Sequence, residues 1–337
     1  MTGAGAPGAP GIIQCLLQQN TVELTVADAD ENAIGRYLHP AFVLIPKAGD
    51  DNFISAMLKI CIERKIEFVL PLVTKELLPL AQNKQQFEEA GVKVLVSSQE
   101  AISISNDKAA CYSFLHANHI AVPKFFVVKT AETFIAAAQA LGYPHSTFCF
   151  KPSQSNGSRG FRVVDPAVDE VDLLFNHKPQ NTFITYDKAE AIFLSKSFPE
   201  LLVMEYLPGE EYSVDCIAQD GEAKLVVPRV RKKMINGITV QGTFVHDDDV
   251  IQYCKMVIKV VKLHGNVGIQ VKKNAAGAPV LLEINPRVQG TIVAALGAGV
   301  NLPLLAVKQE AGIPIGPEEL SIRWGTHFSR YWTEVFY

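Results

Sequence analysis

Apolar and polar positions alternate along this chain with two different periods, and the change of period marks its organisation. In the first hundred residues, short apolar runs at Val22–Val26, Phe42–Ile45, Phe68–Pro71 and Val92–Val96 read as strands. Helical stretches separate several of them, and Ile12, Ile13, Leu16 and Leu17 carry a helical spacing just after the start. Strands alternating with helices predict a parallel sheet with helices on its faces. The opening run Met1–Gly11 is glycine-rich, but no strand precedes it, and Pro7 and Pro10 interrupt the spacing of a dinucleotide-binding turn. It therefore reads as a structural turn, or one touching a substrate, rather than a nicotinamide site. Either the first strand lies upstream of Met1 or the sheet manages without it.

From Ser105 the texture changes. Capping residues open an amphipathic helix over Ser105–His116, with Cys111, Phe114 and Leu115 inward and Lys108 in its first turn. A cation there is unfavourable with the helix dipole unless an anion is nearby. A second helix, Thr130–Leu141, stops at Gly142 and Pro144. The strand Thr147–Pro152 then ends in Lys151 and opens a small-residue loop, Ser153–Gly160, with a return strand over Phe161–Val164. Such a loop can fold backbone N–H groups over phosphates, although its spacing is not that of a Walker loop.

Further on, Leu201–Gly209 is an apolar strand running into a bend, and Glu211–Ala218 is a second strand with Glu211, Ser213 and Asp215 on one face. Backbone groups at Glu205, Tyr206 and Leu207 suit an adenine, and the Glu211 carboxylate suits a ribose. Asp220-Gly221 turns the chain into the strand Glu222–Pro228. The basic run Arg229–Lys233 reads first as a solvated face. It precedes a flexible polar stretch, Gly237–Thr243, able to close on an anion. Asp247–His264 is a long amphipathic helix ended by Gly265.

The densest chemistry lies in Val280–Val288, where Glu283, Asn285 and Arg287 occupy alternate positions of a strand and point one way. The preceding strand, Asn266–Lys273, alternates Val267, Ile269 and Val271 against Gly268, Gln270 and Lys272. Folded as a hairpin near Ala276–Gly277, the pair sets Gln270 across from Glu283 at about 5 Å. Oxygen ligands on facing strands suit magnesium, and a neighbouring guanidinium suits a phosphoryl oxygen. The alternative is the solvated face of an edge hairpin.

Composition narrows the picture. The 337 residues are 48% hydrophobic and carry a net charge of −4, with a pI near 6.1, so nucleic acid and anionic membrane are poor default partners. Six cysteines are scattered without a CxxC pair, which reads as free buried thiols in a reducing compartment. With no leader-like start and no membrane-length apolar window, the expected location is cytoplasmic.

Taken in order, Asn-Asp-Lys108, Phe-Lys151-Pro, the glycine loop, Met204-Glu-Tyr-Leu, Glu211-Tyr-Ser-Val-Asp, Gln270 and Glu283-Ile-Asn-Pro-Arg resemble the ATP-grasp superfamily. Within it the chain is most similar to the carbamoyl-phosphate-synthetase-like, carboxylate–amine ligase branch. The resemblance covers roughly residues 105–314, and the N-terminal unit resembles the pre-ATP-grasp domain of those enzymes. It implies an α/β (α+β) fold: a Rossmann-like domain over 1–104, a small lobe with linking helix and lid over 105–205, and a large lobe with the metal site and tail over 206–337. It implies ATP and Mg2+ (or Mn2+) as cofactors. Lys108 and Lys151 would contact phosphates, and Gly157 with neighbours such as Ser155 would form the lid. Glu205, Tyr206, Leu207 and Glu211 would hold the nucleoside. Gln270, Glu283 and Asn285 would hold the metal, Arg287 would stabilise the transferred phosphoryl group, and Arg231, with Arg229, is a candidate for the acyl phosphate. The implied activity joins a small-molecule carboxylate to an amine through an acyl phosphate, and a homodimer is the default assembly. Because a full carbamoyl-phosphate synthetase large chain holds two such halves, carbamoyl phosphate synthesis by this chain alone is not expected. A nicotinamide-dependent oxidoreductase and a non-catalytic ATP-binding module are the alternatives.

Overall fold

In a computed structural model that describes residues 1–155, 159–178, 181–235 and 237–337, the chain divides into two compact units. One comprises Met1–Asn106, Glu210–Val271 and Leu282–Tyr337, and the other Asp107–Gly209 with Lys272–Leu281.

The N-terminal part of the first unit is built on two short parallel ladders. Val26–Asp28 pairs with Phe42–Leu44, and Phe68–Val69 pairs with Lys93–Val94. The apolar runs thus find their strands, but each ladder is shorter than its run, and the first begins at Val26 where the predicted strand ends. Residues 1–4 connect the two ladders. Ala27 N donates to Met1 O at 2.9 Å, Ala4 N to Ala27 O at 3.0 Å, and Thr2 N to Leu70 O at 3.1 Å. The sheet position that has no strand of its own in the sequence is filled by the head of the glycine run. Helices Phe53–Glu63 and Thr74–Gln82 bury Phe53, Met57, Cys61, Leu77 and Leu80 against these ladders, which places the apolar stripe of each helix on the sheet.

The rest of that glycine run packs against a distant part of the same unit. A Cβ on Gly8 would lie 2.4 Å from Gly290 Cα, and one on Gly11 would lie 2.7 Å from Val293. These glycines serve a close approach of chain to chain. Helix Ala9–Leu17 then packs on helix Leu302–Ala311 through Ile12, Ile13, Leu16, Leu302 and Leu305.

A six-stranded sheet runs in the order Pro279–Asn285, Gly265–Lys273, Glu211–Gln219, Glu222–Ile235, Ile238–Phe244 and His327–Ser329. Asp220 and Gly221, both at positive φ, make the tight hairpin that the Asp-Gly pair predicts. The strand that follows runs on through the basic cluster to Ile235, so Arg229–Lys233 is strand and not loop. Helix Asp248–Val261 is capped by the Asp247 carboxylate, which accepts from Val250 N, and it ends at Lys262 in the left-handed conformation. Gly265 instead opens the next strand.

The second unit holds a four-stranded sheet in the order Phe125–Val128, Leu201–Glu205, Phe148–Pro152 and Arg162–Val164. Phe134 of helix Ala131–Ala140 packs with Phe148, Phe150, Leu201 and Val203 in its core. The single helix expected from Ser105 is two. Asp107 adopts an extended backbone between Gln99–Asn106 and Lys108–Ala117, and its side chain caps the second helix. An N-cap cannot also be helical, so the capping residue itself makes the break.

Candidate active site

In the smaller unit, the two lysines singled out in the sequence lie beside one polar cluster. The Asp107 carboxylate accepts from Ala110 N at 3.0 Å, from Ser153 Oγ at 2.5 Å and from Gln154 Nε2 at 2.8 Å. Partial burial pushes this carboxyl up, but the hydrogen bonds outweigh it and hold it below its usual range. Lys108 N donates to Ser153 O at 3.0 Å, and its Nζ donates to the carbonyl of Ser155 at 2.6 Å. The start of the loop after Lys151 is therefore fastened to the first turn of the helix, which carries a cation exposed by only 7%. Gly157 lies outside the described residues. Lys151, also buried, holds its ammonium 5.5 Å from the ring centroid of Tyr112, and Tyr112 donates to Leu281 O at 2.6 Å.

Glu205 closes its strand, and its carboxylate accepts from Lys124 N at 2.8 Å. Tyr206 is half exposed, whereas Leu207 is buried. Lys272 places its ammonium 4.8 Å from the Tyr206 ring. The buried Cys149 thiol, which burial pushes up to about 11, feels both Lys151 and Lys272. A third lysine, Lys272, therefore lies within electrostatic reach of the same thiol as Lys151. Its alternation with Gln270 along the strand was a usable signal for it.

In the larger unit, Glu211, Arg231 and Gln270 come together. Arg231 Nη1 donates to Glu211 Oε1 at 2.5 Å and to Gln270 Oε1 at 3.1 Å. Its Nε donates to Thr239 Oγ1 at 2.9 Å, and its Nη2 bonds the Gly237 carbonyl. Burial lowers the pKa of Arg231, while the charges of Glu211 and Glu283 oppose that loss. Glu211, the expected ribose ligand, thus has a guanidinium partner here. Asn285 Nδ2 donates to Glu283 Oε1 at 3.0 Å, and Arg287 Nη2 donates to Asn285 Oδ1 at 3.2 Å. The three side chains form a connected row, although the strand ends at Asn285 and Arg287 lies in the bend that follows rather than at an alternate strand position. Arg287 Nε also reaches Thr74 Oγ1 at 3.0 Å. Burial lowers the pKa of Arg287, against the charge of Glu283.

Arg229 takes a different place. Its side chain is fully buried, paired with Asp215 at 2.9 Å and bonded to Thr291 Oγ1. The solvated-face reading of the basic run holds for Lys232 and Lys233, which are exposed, and fails for Arg229. Strand alternation turns that residue into the core. Gly268 is equally constrained, since a Cβ there would lie 2.1 Å from the Gln289 side chain, whose amide donates to Val214 O. Thr74, Thr239 and Thr291 escaped the sequence reading, because their contacts join distant segments through an unremarkable residue type.

Gln270, Glu283 and Asn285 offer hard oxygen donors of the kind magnesium takes alongside substrate phosphates. A cationic group, Arg231, already sits on Gln270 with Glu283 in electrostatic reach, so the donor set fits a divalent cation. Two family models match the chain: the ATP-grasp of the biosynthetic pathway with Ter operon over residues 197–327, and the PylC-like N-terminal domain over residues 10–95. The chain carries an ATP-grasp domain. The large chain of carbamoyl phosphate synthase from Thermomicrobium roseum is 26% identical over 213 residues, which is 60% of this chain and 18% of that protein. This ATP-grasp chain therefore spans about a fifth of the curated relative. N5-carboxyaminoimidazole synthetase from Staphylococcus aureus, solved with ADP, superposes with a TM-score of 0.68 at 16% identity, covering 96% of this chain and 78% of that one. The biotin carboxylase domain dimer of Hydrogenobacter thermophilus 2-oxoglutarate carboxylase, solved with MgADP and bicarbonate, gives 0.66 at 15% identity, covering 94% and 71%. These likenesses establish the ATP-grasp fold with a PylC-like N-terminal domain. No helix among the described residues is long and apolar enough to cross a membrane.

Proposed function

We propose that this chain is an ATP-dependent carboxylate–amine ligase. The observation that carries the reading is the connected row Glu283–Asn285–Arg287 beside Gln270 and Arg231, a set of oxygen donors and guanidinium groups that a structural hairpin has no need to assemble. A carboxylate oxygen attacks the γ-phosphorus of ATP, the bond to ADP breaks, and an acyl phosphate forms. An amine nitrogen then attacks the acyl carbon, loses a proton, and expels phosphate to give an amide. Lys108 and Lys151 bind nucleotide phosphates, and Arg287 neutralises charge on the group in transfer. The loop that begins at Ser155 covers the phosphates, and the backbone of Glu205, Tyr206 and Leu207 holds the adenine with Glu211 on the ribose. Gln270, Glu283 and Asn285 would hold Mg2+, which would supply further charge neutralisation.

Most of the catalytic effect assigned to these residues is positioning and electrostatic preorganisation. A nicotinamide reading is disfavoured because Gly8 and Gly11 make their close approach to Gly290 and Val293. Six buried cysteines fit a reducing cytoplasm, and a homodimer belongs to the same proposal. The test is ADP release from Mg·ATP against pools of carboxylates, with and without amines. ADP formed only with a particular carboxylate–amine pair supports the ligase. Reduction of a nicotinamide cofactor without ATP would replace it.

A further inference from the structure

Arg231 directs four guanidinium hydrogen bonds to acceptors within its own unit: Glu211, Gln270, Thr239 and the Gly237 carbonyl. One of those acceptors, Gln270 Oε1, belongs to the donor set proposed above for the metal, and the charge of Glu283 reaches the same guanidinium. This inference rests on that reading of Gln270, Glu283 and Asn285. Two cations on one amide oxygen in a buried setting repel each other, so Arg231 and a divalent ion compete for Gln270.

We infer that Arg231 is a built-in placeholder cation, which pairs with the Glu211 carboxylate, donates to the Gln270 amide oxygen, and gives up Gln270 when a divalent ion binds there. Thr239 and Gly237, on and beside the next strand of the hairpin, anchor Nε and Nη2. The exchange therefore falls on the Nη1 bond to Gln270, while the arginine backbone and stem stay in place. Nη1 then has an N–H to give to an anion. Metal binding in this way prepares a donor for the substrate carboxylate, and the carboxylate binds after the metal–nucleotide.

The probe is Mn2+ alone, titrated into the nucleotide-free full chain and read as free Mn2+ by electron paramagnetic resonance. Wild type is compared with Arg231→Met, Arg231→Lys and Glu283→Gln, each checked for an unchanged circular-dichroism spectrum. Removing a like charge at this range shifts such an equilibrium by about tenfold, so Arg231→Met binds Mn2+ about tenfold more tightly than wild type. Arg231→Lys keeps the charge but cannot span four acceptors. It falls between the two, and it carries the test where the methionine variant does not fold. Equal affinity in wild type and both Arg231 variants, with Glu283→Gln weaker, overturns the placeholder and leaves the metal ligands standing. Equal affinity in all four proteins, or no binding in any, overturns the ligand assignment as well.

Discussion

Arg287 Nε donates to Thr74 Oγ1 at 3.0 Å, across 213 residues of sequence. Thr74 is the first residue of a helix in the N-terminal domain, and Arg287 ends the Asn-Pro-Arg run that carries the proposed phosphoryl-transfer chemistry. The remaining guanidinium bonds go to Asn285 Oδ1 and to the carbonyl of Val288. The helix terminus thus fixes the one edge of Arg287 that its chain neighbours Asn285 and Val288 do not hold.

Thr74→Val removes that acceptor while keeping the side-chain shape. Loss of one hydrogen bond to a partly buried charged group costs about 1 kcal/mol of stability, to be read from urea unfolding. ADP formation falls by more than nucleotide affinity does, because the arginine is left mispositioned and not removed. Unchanged turnover at a lowered stability would reduce Thr74 to a structural role.

The buried pair Asp215–Arg229 has both side chains almost fully excluded from solvent, and Asp215 Oδ1 and Arg229 Nη1 have no hydrogen-bond partner among the described residues. Breaking such a pair from one side leaves an uncompensated buried charge and costs about 3–5 kcal/mol. Asp215→Leu alone is therefore strongly destabilising. The double variant Asp215→Leu/Arg229→Met restores much of the loss. A denaturation double-mutant cycle checks this, and simple additivity of the two losses would contradict it.

His264 sits between two carboxylates, with Nδ1 3.0 Å from Asp220 Oδ1 and Nε2 2.6 Å from Glu310 Oε1. Burial lowers the imidazole pKa, but the hydrogen bond and charge of Glu310 outweigh it and leave it raised. Burial raises the Glu310 carboxyl, and His264 outweighs that and leaves it lowered. A raised histidine value in the folded state contributes stability that is fully present below its unfolded value, about 6.5, and lost as pH rises through the folded value. The lowered Glu310 value contributes stability present above its unfolded value and lost as pH falls through the folded one. The pair therefore stabilises most from weakly acid pH to neutrality. Thermal melts of wild type fall off on both sides, and His264→Gln flattens the alkaline fall. An alkaline fall of equal size in the variant would assign it to other groups.

How much of this was legible in the sequence depends on the range of each interaction. Glu283 and Asn285 are legible because alternation along a strand is local and fixed in period, whereas Arg287 lies in the bend after the strand ends at Asn285. Asp107 was visible as a capping residue, yet the break it makes between two helices was not, since either side has helical spacing. Arg229 looked like part of a solvated basic run. Its burial depends on Asp215, Thr291 and Phe328, which lie on other segments and meet only in the folded sheet. The missing first strand was noticed, but not that residues 1–4 would fill its place, because backbone hydrogen bonding has no side-chain signature. Thr74 had no signal at all. A threonine opening a helix is ordinary, and its partner is 213 residues away.

The central claim is that the Glu283 row serves phosphoryl transfer. It is tested most directly by comparing Glu283→Gln with wild type in two assays on the same preparation: ADP formation from Mg·ATP with the carboxylate–amine pair that wild type turns over, and nucleotide affinity by calorimetry. Loss of a charge-stabilising group from the reacting centre lowers turnover by about a hundredfold or more, while affinity, shared with Lys108 and Lys151, changes by much less. Turnover and affinity both close to wild type would contradict the account.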